Sequence, residues 1–261
     1  MLRSIWHYRG FIFSSIRHEF RLRFVRSKLG GLWIIISPLA QIAIYAIVLS
    51  SVLSAKLQGV ENTHAYAIYL ITGIFAWSFF SEIMSRCLTV YLDNANLIKK
   101  IRFPKSALPI IILGGSLMNS LFLFMAVVVI YMIMGHYPDI HYWALIPVTL
   151  VMMLFAMGVG LILGVLNVFI RDISQIFPIL LQLGFWLTPI IYPINILPES
   201  VQYLVQFNPL FHLMDSYHQI MVYQAYPDWQ SLGVMLLISL GLLALAMTLV
   251  RRSGPQMVDV L

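Results

Sequence analysis

Two His-Asp-His groupings are the nearest approach in this 261-residue chain to a local catalytic or metal-ligating signature. His136 and His141 flank Asp139, and His212 and His218 flank Asp215. Imidazole and carboxylate suit zinc, but a stable site needs a third or fourth converging ligand, and polar loop residues are the simpler account of both groups. Other reaction chemistry is missing. No Gly-Lys dipeptide occurs, so the chain carries no P-loop and cannot hydrolyse ATP by that route alone. H-E-x-x-H and G-x-S-x-G are absent, and no two acidic residues lie within ten positions of each other. Nothing local argues for a catalytic carboxylate pair. Cys87 is the sole cysteine, which excludes an intrachain disulfide.

The remaining functional chemistry is basic and aromatic. Of sixteen Lys and Arg residues, seven precede residue 29 and four fall between Lys99 and Lys105; the others are Lys56, Arg86, Arg171, Arg251 and Arg252. A net charge of +6 invites a nucleic-acid reading, but these charges are sorted against long uncharged apolar blocks, as topology signals and contacts with anionic lipid are. The aromatic series is Phe185, Trp186, Tyr192, Tyr203, Phe207, Phe211, Tyr217, Tyr223, Tyr226 and Trp229. Such rings form interfacial belts in membrane proteins; they also suit a path for a sugar polymer, stacking on sugar faces without a deep well.

The elements that hold these residues are membrane spans. Apolar runs lie near 33–53, 65–88, 107–134, 142–170, 173–193 and 231–250, and about twenty apolar residues cross ~30 Å of hydrocarbon as a helix. The composition, 61% hydrophobic and 10% charged, agrees. The expected fold is therefore an all-α integral membrane protein with six transmembrane helices and both termini cytoplasmic. That orientation puts fourteen of the sixteen positive charges inside and leaves 172–250 free of Lys and Arg. Arg86 snorkels from the inner end of the second span, with Glu82 one turn earlier as its expected partner. No signal peptide is evident, and the first span is expected to act as its own uncleaved signal.

Residues 1–30 form the first unit and 31–261 the transmembrane domain. Phe13, Ile16, Phe20 and Phe24 recur at helical spacing within 1–28, predicting an amphipathic helix in the membrane interface, whose basic face could also meet an anionic headgroup. Between spans two and three, Asn94 is expected to cap a short helix that Pro104 stops. Leu97, Ile98, Ile101 and Phe103 are left to bury there, which points to a docked protein. Gly114, Gly115, Gly158, Gly160 and Gly164 predict close helix packing. Pro178, Pro189, Pro193 and Pro198 break the fifth block, and broken helices at membrane depth need protein or a water-filled cavity around them. From about 190 to 226 the punctuation predicts two short re-entrant helices, near 199–207 and 210–223.

Four segments in order, IKKIRFPKSALP (Ile98 to Pro109), RDISQIFPILLQLG (Arg171 to Gly184), FWLTPIIYP (Phe185 to Pro193) and NPL (Asn208 to Leu210), resemble the membrane subunit of bacterial polysaccharide ABC exporters. That family exports O-antigen, group 2 capsule and teichoic acid, and the likeness spans nearly the whole chain. The resemblance implies a non-enzymatic permease of the bacterial inner membrane. It also implies a homodimer with two copies of a separate nucleotide-binding subunit that holds ATP and Mg, this chain having no cofactor. The cargo would be a lipid-linked polysaccharide, foremost O-antigen on undecaprenyl diphosphate, moved to the periplasm. By the same resemblance, about 94–105 is the coupling helix, with Leu97, Ile98, Ile101, Arg102, Phe103 and Arg171 facing the ATPase. Trp186, Thr188, Pro189, Tyr192 and Pro193 fall on the substrate path and outer gate. Arg21, Arg23, Arg26 and Lys28 are the nearest candidates for the diphosphate, since guanidinium binds two phosphate oxygens at once. A capsule, teichoic-acid, drug or lipid exporter is the neighbouring alternative. A membrane-embedded glycan-modifying enzyme is the distant one.

Overall fold

The computed structural model describes residues 9–25, 32–33, 35–41, 43–44, 64–100 and 107–260. Among them there are helices and short 3-10 turns but no strands. In chain order the helices are α1 (Arg9–Val25), α2 (Ala65–Asp93), α3 (Ala95–Lys100), α4 (Ala107–Ile133), α5 (Leu145–Phe169), α6 (Ile173–Leu187), α7 (Glu199–Gln206), α8 (Pro209–Met221), α9 (Trp229–Arg252) and α10 (Gly254–Val260). α2, α4, α9 and the continuous segment Ile140–Phe169, which ends in α5, are each long and apolar enough to cross a bilayer. Of the expected first span, helical residues occur within 32–44, and 45–53 lie outside the described residues.

The helix formed by the fifth apolar run is shorter than that run predicts. α6 has 15 residues, roughly 22 Å of helix against ~30 Å of hydrocarbon. Pro189 is the reason: its ring keeps the preceding residue out of the helical region, and Thr188 sits in an extended conformation at φ −102°, ψ 134°. The chain then runs non-helically to the 3-10 turn Ile194–Ile196 before α7 and α8 begin. These two match the expected pair of short helices closely. Pro198 precedes α7, while the Asn208 side chain caps α8 by accepting from the Leu210 N–H, with Pro209 at the first helical position.

α2 is packed against α3, α4, α5, α6 and α8. Its N-terminal half is buried almost all round, through residues such as Leu70 and Ile74, while towards its C-terminus Phe80 and Ile83 are buried and a polar face from Ser78 to Asp93 is left partly open. Phe80 stacks near Phe155 of α5, and Cys87 meets Gly160 and Gly164 further along, so α2 and α5 run the same way. Thr72 bonds Tyr131 at one end of α4 and Glu82 bonds Asn119 towards the other, so α4 runs against them. Lys99, Arg171, Arg251 and Arg252 therefore follow or end helices at one end of the bundle, called here the basic end.

The glycines serve contacts within the chain. A Cβ on Gly160 would lie 2.7 Å from the Cys87 Cβ, one on Gly164 would overlap the Cys87 carbonyl oxygen, and one on Gly158 would press on Leu242 of α9. α1 meets α4 through Ile16, which occupies the space beside Gly114. The face of α1 turned towards the bundle is Ile12 with Ile16; Phe13, expected on the apolar face at the membrane interface, is 71% exposed. One further element, α10, was not predicted. Arg251 and Arg252 read as the start of a tail, yet Ser253 ends α9 and a second short helix follows with Met257 buried.

Gly164→Val forces the α2–α5 crossing apart. We expect a loss of about 1–3 kcal/mol, typical of overpacking, and a lower unfolding temperature of the detergent-solubilised chain, while Gly233→Ala, facing open space, leaves that temperature unchanged.

Candidate functional site

Five of the residues singled out in the sequence, Trp186, Thr188, Pro189, Tyr192 and Pro193, form one corner at the end of the bundle opposite the basic end. Their backbone is non-helical from Thr188 to Pro193, so its polar groups need partners from elsewhere. α2 supplies them. The Tyr66 hydroxyl donates to the Ile191 carbonyl and the Tyr69 hydroxyl to the Tyr192 carbonyl, each at 3.1 Å. Gly73 lets the loop close on the helix, since a Cβ there would overlap the Ile190 carbonyl oxygen. From the other side the Asn208 amide donates to the Thr188 hydroxyl at 2.9 Å while its oxygen caps α8. The Tyr192 hydroxyl closes the corner by donating to the Trp186 carbonyl at 2.7 Å.

Burial divides the five. Thr188, Pro189 and Pro193 are buried and shape the loop, Tyr192 is half-buried, and Trp186 is 48% exposed. The wider aromatic series divides the same way. Phe185 packs edge-on against Trp77, and the Tyr217 hydroxyl bonds Thr149, so both are core residues. Tyr203, Phe207, Tyr226 and Trp229 are exposed, and Tyr203 and Phe207 touch ring to ring.

Of the histidines in the two His-Asp-His groupings, only His141 keeps to its own group; the other three bond elsewhere. His136 Nε2 donates to the Met221 carbonyl, His141 pairs with Asp139, and His212 Nε2 donates to the Gln206 carbonyl. His218 stacks on Tyr69 with ring centres 3.8 Å apart and its Nε2 lies 3.3 Å from the Tyr69 carbonyl. Complete burial pushes its pKa down to about 3, keeping the ring neutral with a proton to donate. Burial likewise raises the Asp215 carboxyl, against a hydrogen bond from Gln219. Among the described residues no three or more His, Cys, Asp or Glu converge as a metal site.

At the basic end, Asn94 behaves differently from expectation. Its side-chain amide donates back to the Val90 carbonyl at 2.8 Å, closing α2, and only its backbone carbonyl starts α3 by accepting from Ile98. Ile98, expected on a docking face, is 7% exposed and belongs to the chain's own core, with α10 against α3. Leu97 lies on α3; Ile101, Arg102 and Phe103 fall outside the described residues. Arg171 is exposed on the turn into α6. That turn is tied down by Asn167, which donates to the Leu88 carbonyl and accepts from the Ser174 N–H, each at 3.1 Å. Arg21 and Arg23 lie on α1, and Arg26 and Lys28 outside the described residues.

Sequence reasoning missed Tyr66, Tyr69, Gly73 and Asn167. Their signal is faint, because a Tyr or Asn in an apolar run shows its purpose only when its distant partner is known.

The geometry thus offers a braced corner at one end and a basic end opposite it, joined by α2. A family model described as ABC-2 type transporter matches residues 11–222. The chain belongs to that family. It is 29% identical over 245 residues to an O-antigen export system permease protein, RfbA, of Myxococcus xanthus, covering 93% of this chain and 92% of the relative. A Klebsiella pneumoniae protein of the same name is 27% identical over 81% of each chain. The polysialic acid transport protein KpsM of Escherichia coli is 25% identical over 76% of this chain and 75% of its own. As an ABC-2 type transporter, the chain is a multi-pass membrane component rather than an enzyme.

Asn208→Ala removes a helix cap, a loss of about 1 kcal/mol, together with the bridge to Thr188. Hydrogen exchange should rise at residues 188–193 in this variant and in Gly73→Ala, while exchange across α5 and α9 is unchanged.

Proposed function

We propose that this chain is the transmembrane subunit of an ATP-driven exporter that carries a lipid-linked polysaccharide, foremost an O-antigen, across the bacterial inner membrane to the periplasm. The observation that carries the reading is the end-to-end likeness to an O-antigen export permease, which leaves little of either chain for a different activity. The absence of a P-loop supports a separate ATPase subunit. Six spans with both termini cytoplasmic place the basic end inside, where the coupling residues Leu97, Ile101, Arg102, Phe103 and Arg171 would meet that subunit. Ile98 leaves the docking surface on this reading, being enclosed by its own chain.

Two copies of the chain would pair to enclose the path. α6 supports this, since Ile176, Ile179, Leu183 and Leu187 are exposed on it, while Gln175 and Gln182 are exposed one above the other at a seven-residue step. Amide side chains at membrane depth call for a partner helix or a watered path. In the mechanism, ATP-driven closure of the partners pushes on α3 and the Arg171 turn. α2, continuous from Asn94 to Tyr66, carries the displacement to the loop at 188–193. Trp186 and Tyr192 offer ring faces to passing sugars, and the N-terminal basic residues Arg21, Arg23, Arg26 and Lys28 receive the diphosphate. KpsM-type relatives make a capsular polymer the second cargo to test.

Ile101→Asp with Phe103→Asp should abolish export and leave the purified permease folded, with ATP hydrolysis no longer responding to it; unchanged export removes the coupling assignment. Trp186→Ala with Tyr192→Ala should slow the appearance of surface glycan roughly tenfold, the scale of one or two lost ring contacts; a change in protein level alone returns these rings to an interfacial belt.

A further inference from the structure

Polar side chains recur along one face of α2 from mid-bilayer to the basic end: Ser78, Glu82, Ser85, Thr89 and Asp93 follow at steps of three and four. Facing them from α4 are Ser116, Asn119 and Ser120. Glu82 is the centre. Its Oε1 accepts from Asn119 Nδ2 at 2.5 Å and from the Ser116 hydroxyl at 3.3 Å, and Arg86 lies 3.4 Å away while also donating to Ser116 at 3.1 Å. Ionisable side chains at this depth are costly unless they face protein, water or a ligand.

They border a cavity. A space of about 320 Å³ opens between α2, α4 and the helical residues 32–44, lined on its polar side by Ser78, Ser81, Glu82, Ser85, Asn119 and Ser120. Its apolar walls include Trp33 and Phe75. A second space of about 340 Å³ lies beneath α1 towards the basic end, and Arg86 lines it. Arg86 therefore stands between the two. Both volumes fall within the roughly 300–1,000 Å³ of small-molecule sites. Hydroxyls, an amide and a carboxylate around one chamber offer both donors and acceptors, and ring faces offer flat apolar surface. That mixture fits a ligand bearing many hydroxyls on a partly apolar ring, and a lipid tail or a bare phosphate fits it poorly.

We propose that the Glu82 chamber is a carbohydrate subsite, holding a sugar residue near the lipid-linked end of the glycan on its way from the basic end to the outer corner. The inference rests on the export function proposed above. Glu82 and Asn119 accept and donate hydroxyl hydrogen bonds, Ser78, Ser85 and Ser120 complete the ring of contacts, and Arg86 positions Glu82.

Photo-crosslinking in cells that make the glycan tests this directly. Benzoylphenylalanine is placed at Ser85, at Trp186 and, as a lipid-facing control, at Met125, which is 47% exposed on α4. Glycan adducts at position 85 well above those at 125 are expected. Capture at 186 without capture at 85 overturns the subsite and leaves the export function standing. Capture at neither position overturns the subsite and removes support for the path as well. Because the bulky probe could disturb α2, the triple variant Ser78→Ala, Ser85→Ala, Ser120→Ala provides the second measurement. At unchanged protein level its export should fall roughly fivefold or more, the equivalent of one lost hydrogen bond, and an unchanged rate overturns the subsite.

Discussion

Hydrocarbon tolerates no unbonded backbone polar group, and this chain abandons helix at Thr188 with the fifth apolar block unfinished. The contacts around this corner answer that constraint. The loop's carbonyls at 191 and 192 take hydroxyls from Tyr66 and Tyr69, and Gly73 removes the one side chain that would hold the loop away. Because those residues sit on α2, a helix already packed against α3, α4, α5, α6 and α8 must also carry the specific contacts to the loop. Its N-terminal third can accept little substitution, since each change touches both core packing and the loop.

On the export function proposed above, the same helix would carry motion between the two ends of the bundle. Twenty-nine residues make a rod of about 43 Å, with the corner's supports at one end and the turn into α3 at the other. Near the basic end Asn167 binds Leu88 of α2 and the first turn of α6 together. A push there is passed on by packed side chains and not by a flexible linker, because glycine contacts at 160 and 164 leave no slack between α2 and α5. An ABC-2 type transporter whose energy comes from another subunit needs such a connection.

The sequence showed what depends on bulk properties and local spacing. Apolar length marked α2, α4, α5 and α9. Proline and asparagine punctuation marked α7 and α8 to within a residue or two. Glu82 was legible as the partner of Arg86 because the two are one turn apart. What stayed hidden depends on contacts between distant segments. Thr188 looked like a lining residue, yet it is enclosed by a bond from Asn208, twenty positions on. Ile12 gave no local signal in α1, yet it is buried, while Phe13, on the apolar face expected at the membrane interface, is exposed. Ile98 looked spare because α10, which approaches it, is separated from it by most of the chain. The polar face of α2 was present in the sequence, at helical spacing, but Ser78, Ser85 and Thr89 scattered within an apolar run carry no meaning until α4 brings Asn119 beside Glu82.

The central claim is that this chain exports a finished glycan and does not build or alter one. Deleting its gene alone and labelling the lipid-linked polysaccharide in intact and permeabilised cells measures that directly. Export as the role requires a glycan of normal composition that is labelled only after permeabilisation. Glycan that is missing, changed in composition or still fully displayed on intact cells would contradict it.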